Sequence, residues 1–271
     1  MHSFQDKLNN NRDSNLIVGL DIDISKIPDF LRKEKYPLLS FAKYIIDSTI
    51  DHVAGYKPNM AFFEACGFQG LAELEMIIHF IPQDKVVILD AKRSDIGNTA
   101  RMYAKSAFEI FKADAVTVNP YMGVDSIEPF LEYDDKYVFA LVLTSNQGSK
   151  DIQMLDTKEG RPVFEQCAVM INELNSQYHN CGAVVGATQD SHMSQVFKQM
   201  PDSYFLIPGI GTQGGSVADV FKACQSEQQR DRCLFNVSRD ILYVSSEKNF
   251  EKEVATKAIH YKNMIEVQKN A

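Results

Sequence analysis

Short apolar runs recur along the whole chain, and stretches of amphipathic sequence separate them. The runs are LIVGL (16–20), AGYK (54–57), VVILD (86–90), AVTV (115–118), VFALVL (138–143), AVVGA (183–187), YFLI (204–207) and LFNV (234–237). Most are continuous rather than alternating, the pattern of a strand covered on both faces. Between them, FAKYIIDSTIDHV (41–53) places Ala42, Ile45, Ile46, Thr49 and Val53 on one helical face. TARMYAKSAFEIF (99–111) does the same with Ala100, Ala104, Ala107, Phe108 and Phe111, leaving Arg101, Lys105 and Glu109 opposite. Further helices are predicted over 164–178, 190–200, 216–229 and 252–268.

Eight strand–helix units in strict alternation predict a parallel sheet, and eight is the number that closes a barrel. An open doubly wound sheet would carry a glycine-rich turn after its first strand. Here that strand runs into Asp21-Ile22-Asp23 instead. No linker or composition break divides the chain. Residues 1–271 therefore read as a single α/β domain, a (β/α)8 barrel of the TIM type, with 1–14 as a polar N-terminal segment.

Composition narrows the function classes. The 271 residues are 45% hydrophobic and 24% charged, with a formal charge of −8 that disfavours a nucleic-acid partner. The polar start and the lack of an apolar run near the roughly 20 residues of a membrane span predict no secretory leader and no membrane partner. Five cysteines without a C-x-x-C pair, and six histidines without metal-ligand spacing, predict a reduced, cytoplasmic protein with no metal site.

A barrel predicts its own active edge, at the C-terminal ends of the strands. Those ends carry Asp21 and Asp23, Lys57, Asp90 and Lys92, Asn119, Thr144 and Ser145, Thr188, Pro208 to Gly215, and Ser238 with Arg239. Half-buried charge is costly unless paired, so these groups are expected to meet. In VVILDAKRSDIGNTA (86–100), Asp90 and Lys92 fall on one side of an extended segment. Asp95 follows after a turn, and Asn98 or Thr99 is expected to cap the next helix. Lys57, ending the neighbouring strand, would complete a Lys–Asp–Lys row. The plain alternative is a salt-bridge network that only closes the strand ends. The placement of Lys57, Asp95 and Thr99 on the same edge favours chemistry: a fixed, protonated Lys92 suits proton donation to a carbanion. An immobile ionised Asp90 would repel a substrate carboxylate until CO2 leaves.

The segment DAKRSDIGNT resembles the D-x-K-x-x-D-I-x-x-T signature of the orotidine 5'-phosphate decarboxylase family. The resemblance extends through LDID, GYKPN, TVNPYMGVDSIEPF, LTSNQGS, VVGAT, PGIGTQGG and NVSRDILY, and is closest in wording to the larger bacterial subgroup. It implies cofactor-free decarboxylation of orotidine 5'-phosphate to UMP, with Lys92 protonating C6 of the pyrimidine, Asp90 beside the departing carboxylate and Lys57 completing the row. It further implies a homodimer in which Asp95 and Thr99 act across the interface. Asp21 would bind a ribose hydroxyl, Ser145 the pyrimidine amide edge, and Ile96 would line the pyrimidine pocket.

The phosphate end follows partly from the residues themselves. PGIGTQGG (208–215) is glycine-rich and precedes a helix expected near Ser216, and Arg239 follows the eighth strand. Loops after strands seven and eight are the usual phosphate site of such a barrel. Pro208, Gly214 and Arg239 are assigned there, and the resemblance adds Gln213 as a closing side chain and Ser238 as a backbone contributor. Two alternatives stand beside this reading: a magnesium-dependent phosphosugar aldolase or decarboxylase of the same superfamily, and a non-catalytic nucleotide-binding protein.

Overall fold

The computed structural model describes residues 3–188, 190–211 and 214–271. Its eight strands close a barrel in sequence order. They are β1 (Leu16–Leu20), β2 (Gly55–Pro58), β3 (Val86–Arg93), β4 (Ala115–Val118), β5 (Tyr137–Leu143), β6 (Cys181–Val185), β7 (Phe205–Pro208) and β8 (Cys233–Val237). All eight pairings are parallel, including β8 with β1. The (β/α)8 expectation is met, each run lying within about two residues of its strand, except that β3 runs on past Asp90 to Arg93.

The helices are α1 (Phe4–Asn10), α2 (Pro37–Thr49), α3 (Met60–Glu64), α4 (Gly67–Phe80), α5 (Gly97–Lys105) and α6 (Glu128–Leu131). They continue with α7 (Val163–Tyr178), α8 (Asp190–Gln199), α9 (Val217–Ala223), α10 (Glu227–Asp231), α11 (Arg239–Leu242) and α12 (Glu251–Lys269). Ala42, Ile45, Ile46 and Thr49 on α2, and Ala100 and Ala104 on α5, are buried as their spacing requires. The helix expected over 216–229 is two helices, because the chain turns extended at Cys224 and restarts from the Ser226 cap. Neither Asn98 nor Thr99 caps α5. The helix begins at Gly97 after an extended Ile96, without a side-chain cap.

The polar start hides an element. Ser3 and Asp6 form a capping box for α1, and Phe4 is only 1% exposed. The Phe4 ring stacks on Tyr137 at 4.6 Å and meets Tyr204 edge-on at 5.6 Å. Lys7 pairs with Asp114 at 2.7 Å. These partners sit at the N-terminal ends of strands, so α1 plugs the end of the barrel opposite the predicted site. Above the plug, Ile17, Ile88, Ala115, Phe139, Leu206 and Leu234 belong to one apolar cluster inside the barrel. The larger cluster fills the layer between barrel and helices. Among the described residues, no helix is long and apolar enough to cross a membrane.

Candidate active site

Strand alternation builds the site from the barrel core. Two residues further along each strand, inward-facing Ile88 gives way to Asp90, Ala115 to Thr117 and Leu234 to Asn236. Beside Ile17, β2 presents Gly55, and the next pair up is Gly19 with Lys57. A side chain on Gly19 would strike the Ser238 hydroxyl, with a would-be Cβ only 1.9 Å from Oγ, so only glycine allows β8's end to close over β1.

Asp90 is the centre of the charged row. Its Oδ2 accepts from Lys57 Nζ at 2.7 Å, and its Oδ1 accepts from Lys92 Nζ at 2.5 Å and Thr117 Oγ1 at 2.8 Å. Lys57 also lies 3.9 Å from Asp21 Oδ1. Asp90 and Lys57 are buried, whereas the Lys92 side chain is 49% exposed at the mouth. Burial would raise the Asp90 carboxyl, but the two ammonium groups outweigh it and hold the acid well below its usual range. For Lys57, burial pulls the other way, and the attraction of Asp90 and then Asp21 leaves the ammonium group more basic than usual. Both partners are thus ionised near neutral pH.

The two-residue spacing does bring Lys92 to Asp90, but not through plain strand alternation. Lys92 adopts φ +47°, and the register between β3 and β4 shifts between Leu89 and Arg93. A left-handed non-glycine residue costs about 1–2 kcal/mol. Here the Lys92 N–H donates to Thr117 Oγ1 at 3.0 Å, so one hydroxyl orients both the backbone of Lys92 and the carboxylate of Asp90.

A cavity of about 140 Å³ adjoins the row, lined by Asp21, Lys57, Asp90, Pro208, Asn236, Ser238 and Arg239 among others. Three of these residues carry buried polar atoms without a hydrogen-bond partner: Asp21 Oδ1, Asn236 Oδ1 and Ser238 Oγ. Such groups are unusual inside a folded protein, and here they line a cavity open to polar atoms of water or of a ligand. Tyr243 fixes this edge by donating to the Asp21 carbonyl at 2.9 Å and accepting the Asp23 N–H at 2.7 Å. The Asp23 carboxylate itself turns to Ser25 and Lys26, away from the row.

After β7, Gly209, Gly211 and Gly214 all take positive φ, a geometry glycine permits at little cost. The Gly215 and Gly214 N–H groups donate to the carbonyls of Gly209 and Gly211, both at 3.0 Å. Those two amides therefore shape the loop instead of facing an anion, contrary to the simplest reading of its glycines. Ser216 caps α9, as expected. Gln213 lies outside the described residues. Arg239 opens α11 and is exposed at the rim.

The remaining residues lie around the mouth. Half-buried Ser145 packs over Gly186, whose would-be Cβ would come 2.7 Å from the Ser145 nitrogen. Asp95 folds onto its own turn, its Oδ1 accepting the Ile96 N–H at 2.8 Å. Thr99 is exposed, and Ile96 is 48% exposed. Thr117, Asn236, Gly19 and Tyr243 went unnoticed in the sequence. Inward parity two residues beyond an apolar position could have found the first two. Among the described residues, no three His, Cys, Asp or Glu side chains group as a metal site requires.

Fold and site together are those of a β/α-barrel enzyme that holds a carboxylate between two ammonium groups at the barrel mouth. The chain belongs to the orotidine 5'-phosphate decarboxylase / HUMPS family, whose model matches residues 14–252, and with it to the carbon–carbon lyases. It is similar to the orotidine 5'-phosphate decarboxylases of Porphyromonas gingivalis, 43% identical over 93% of this chain and 91% of that one, and of Herpetosiphon aurantiacus, 41% identical over 92% and 91%. In structure it resembles the Leishmania donovani OMP decarboxylase, with 35% identity, a TM-score of 0.84 and 99% of each chain covered.

Proposed function

We propose that the chain converts orotidine 5'-phosphate to UMP and CO2, the last step of UMP synthesis, without metal or organic cofactor. The observation that carries this reading is the Asp90 carboxylate clasped by Lys57 and Lys92 at the barrel mouth in a chain of this family. In the proposed step the bond between C6 of the pyrimidine and its carboxylate carbon breaks, CO2 leaves and the electron pair stays on C6. Lys92 then delivers a proton to C6. Its ammonium group is half exposed yet fixed by Asp90, so it serves as counter-charge and acid at one place. Lys57 is buried and keeps Asp90 ionised and immobile. A substrate carboxylate beside Asp90 is repelled, and loss of CO2 relieves that repulsion.

Asp21 takes a ribose hydroxyl, Ser145 the amide edge and Ile96 the ring, while Pro208, Gln213, Ser238 and Arg239 serve the phosphate and Gly214 shapes the loop beside it. Asp95 and Thr99 act in the site of a second copy in a homodimer. The exposure of apolar Ile96 and Met102, on the same turn and helix as Asp95 and Thr99, supports such an interface. The working compartment is the cytoplasm.

The test is a spectroscopic assay with orotidine 5'-phosphate after exhaustive chelation. Full turnover is expected, whereas dependence on added magnesium would transfer the chain to the phosphosugar branch. Lys92→Ala should lower kcat by about 10²–10⁴-fold with UMP binding retained. A variant with near-normal kcat would remove Lys92 from the proton-donor role.

A further inference from the structure

The phosphate loop rests on a residue from the far end of the chain. Tyr261, on α12, is 6% exposed, and its hydroxyl donates to Asp240 Oδ2 at 2.5 Å. Lys257, one helical turn earlier, reaches the same oxygen at 3.2 Å. Asp240 follows Arg239 and lines the cavity. Directly across stands Gly211 of the loop, with φ +89°: a Cβ there would lie 2.7 Å from the Tyr261 hydroxyl and 3.6 Å from the Asp240 Cβ. The hydroxyl therefore binds the turn after β8 and fills the space a side chain at Gly211 would need in the loop after β7.

We propose that Tyr261 is a positioning residue that sets the chain at Gly211 and the Arg239–Asp240 turn at the spacing a 5'-phosphate needs. The inference rests on the decarboxylase reading for the identity of the ligand. The hydrogen bond and Lys257 also keep Asp240 anionic and occupied: chiefly through Tyr261, its acidity is raised above that of an ordinary carboxyl. Without them its charge would be freer to swing toward the phosphate.

Tyr261→Phe keeps the ring and removes only the hydroxyl. We expect it to weaken UMP binding about tenfold, the worth of one hydrogen bond to a charged group, while uridine binding stays unchanged. In turnover, kcat/KM for orotidine 5'-phosphate should fall by a similar factor and that for orotidine should not. Lys257→Met should shift the same ratios in the same direction, and decides the question if the Phe variant fails to fold. Equal losses with and without the phosphate, or no loss in either, would overturn the proposal. If the wild-type chain fails to decarboxylate orotidine 5'-phosphate, the decarboxylase reading falls, and the UMP-to-uridine comparison still judges Tyr261.

Discussion

At the scale of single residues, the charged row makes a claim on stability as well as on chemistry. Lys57 is buried against Asp90, so Asp90→Asn would leave an ammonium group without its counter-charge. Removing one partner of a buried pair costs about 3–5 kcal/mol, and urea unfolding at neutral pH should register a loss of that order. The pH dependence has a definite sign. The Asp90 pKa is depressed in the folded state, so its contribution is complete above the ordinary carboxylate value near 3.9 and disappears as pH falls below it. The stability gap between wild type and variant should therefore be wide at pH 7 and narrow in acid below about pH 4. A gap that stayed constant down to pH 2 would show that Asp90 is not held ionised by its neighbours. The sequence exposed this row because Asp, Lys and Lys at strand ends are conspicuous in a barrel. It concealed Thr117, whose hydroxyl supports Lys92 through a bulge that no residue pattern announces. A neutral side chain that acts by geometry leaves little trace in composition.

At the scale of elements, the barrel was legible and its plug was not. The eight apolar runs are long and continuous, so periodicity identifies them, whereas α1 buries only Phe4 and Leu8 among otherwise polar residues. Two apolar positions over one short helix make too weak a pattern to be told from a solvated tail. The break between α9 and α10 escaped for a related reason: Gln229, polar by type, is 1% exposed and donates to the carbonyls of Phe197 and Met200. The plug makes a separable prediction. Phe4→Ala removes a ring stacked on Tyr137 and should destabilise the fold by about 3–5 kcal/mol. Because Phe4 closes the end of the barrel away from Lys92, kcat at a temperature where the variant remains folded should match wild type. Thermal unfolding and turnover measured on one preparation test both halves, and a kcat lowered in proportion to stability would mean that the two ends of the barrel are coupled.

At the scale of the whole molecule, a single chain holds Lys57, Asp90 and Lys92 together but directs Asp95 onto its own backbone. If Asp95 works in a neighbour's site, each site draws Lys92 from one copy and Asp95 from the other. That arrangement has a consequence no single-chain site can reproduce. In such a dimer, Lys92→Ala and Asp95→Ala should each lose nearly all activity, since every site lacks one group. Mixed dimers differ, because the substitutions fall together in one of the two sites and leave the other intact. Unfolding the two variants together at equal concentration and refolding them makes half of the dimers mixed, so activity should return to about a quarter of the wild-type value per subunit. The recovered activity should show the wild-type KM, because the intact site is unaltered, and it should be absent when the variants are refolded apart and assayed at once. If co-refolding restores nothing while sedimentation shows that mixed dimers have formed, Asp95 acts within its own chain or not at all, and the two-copy site is wrong.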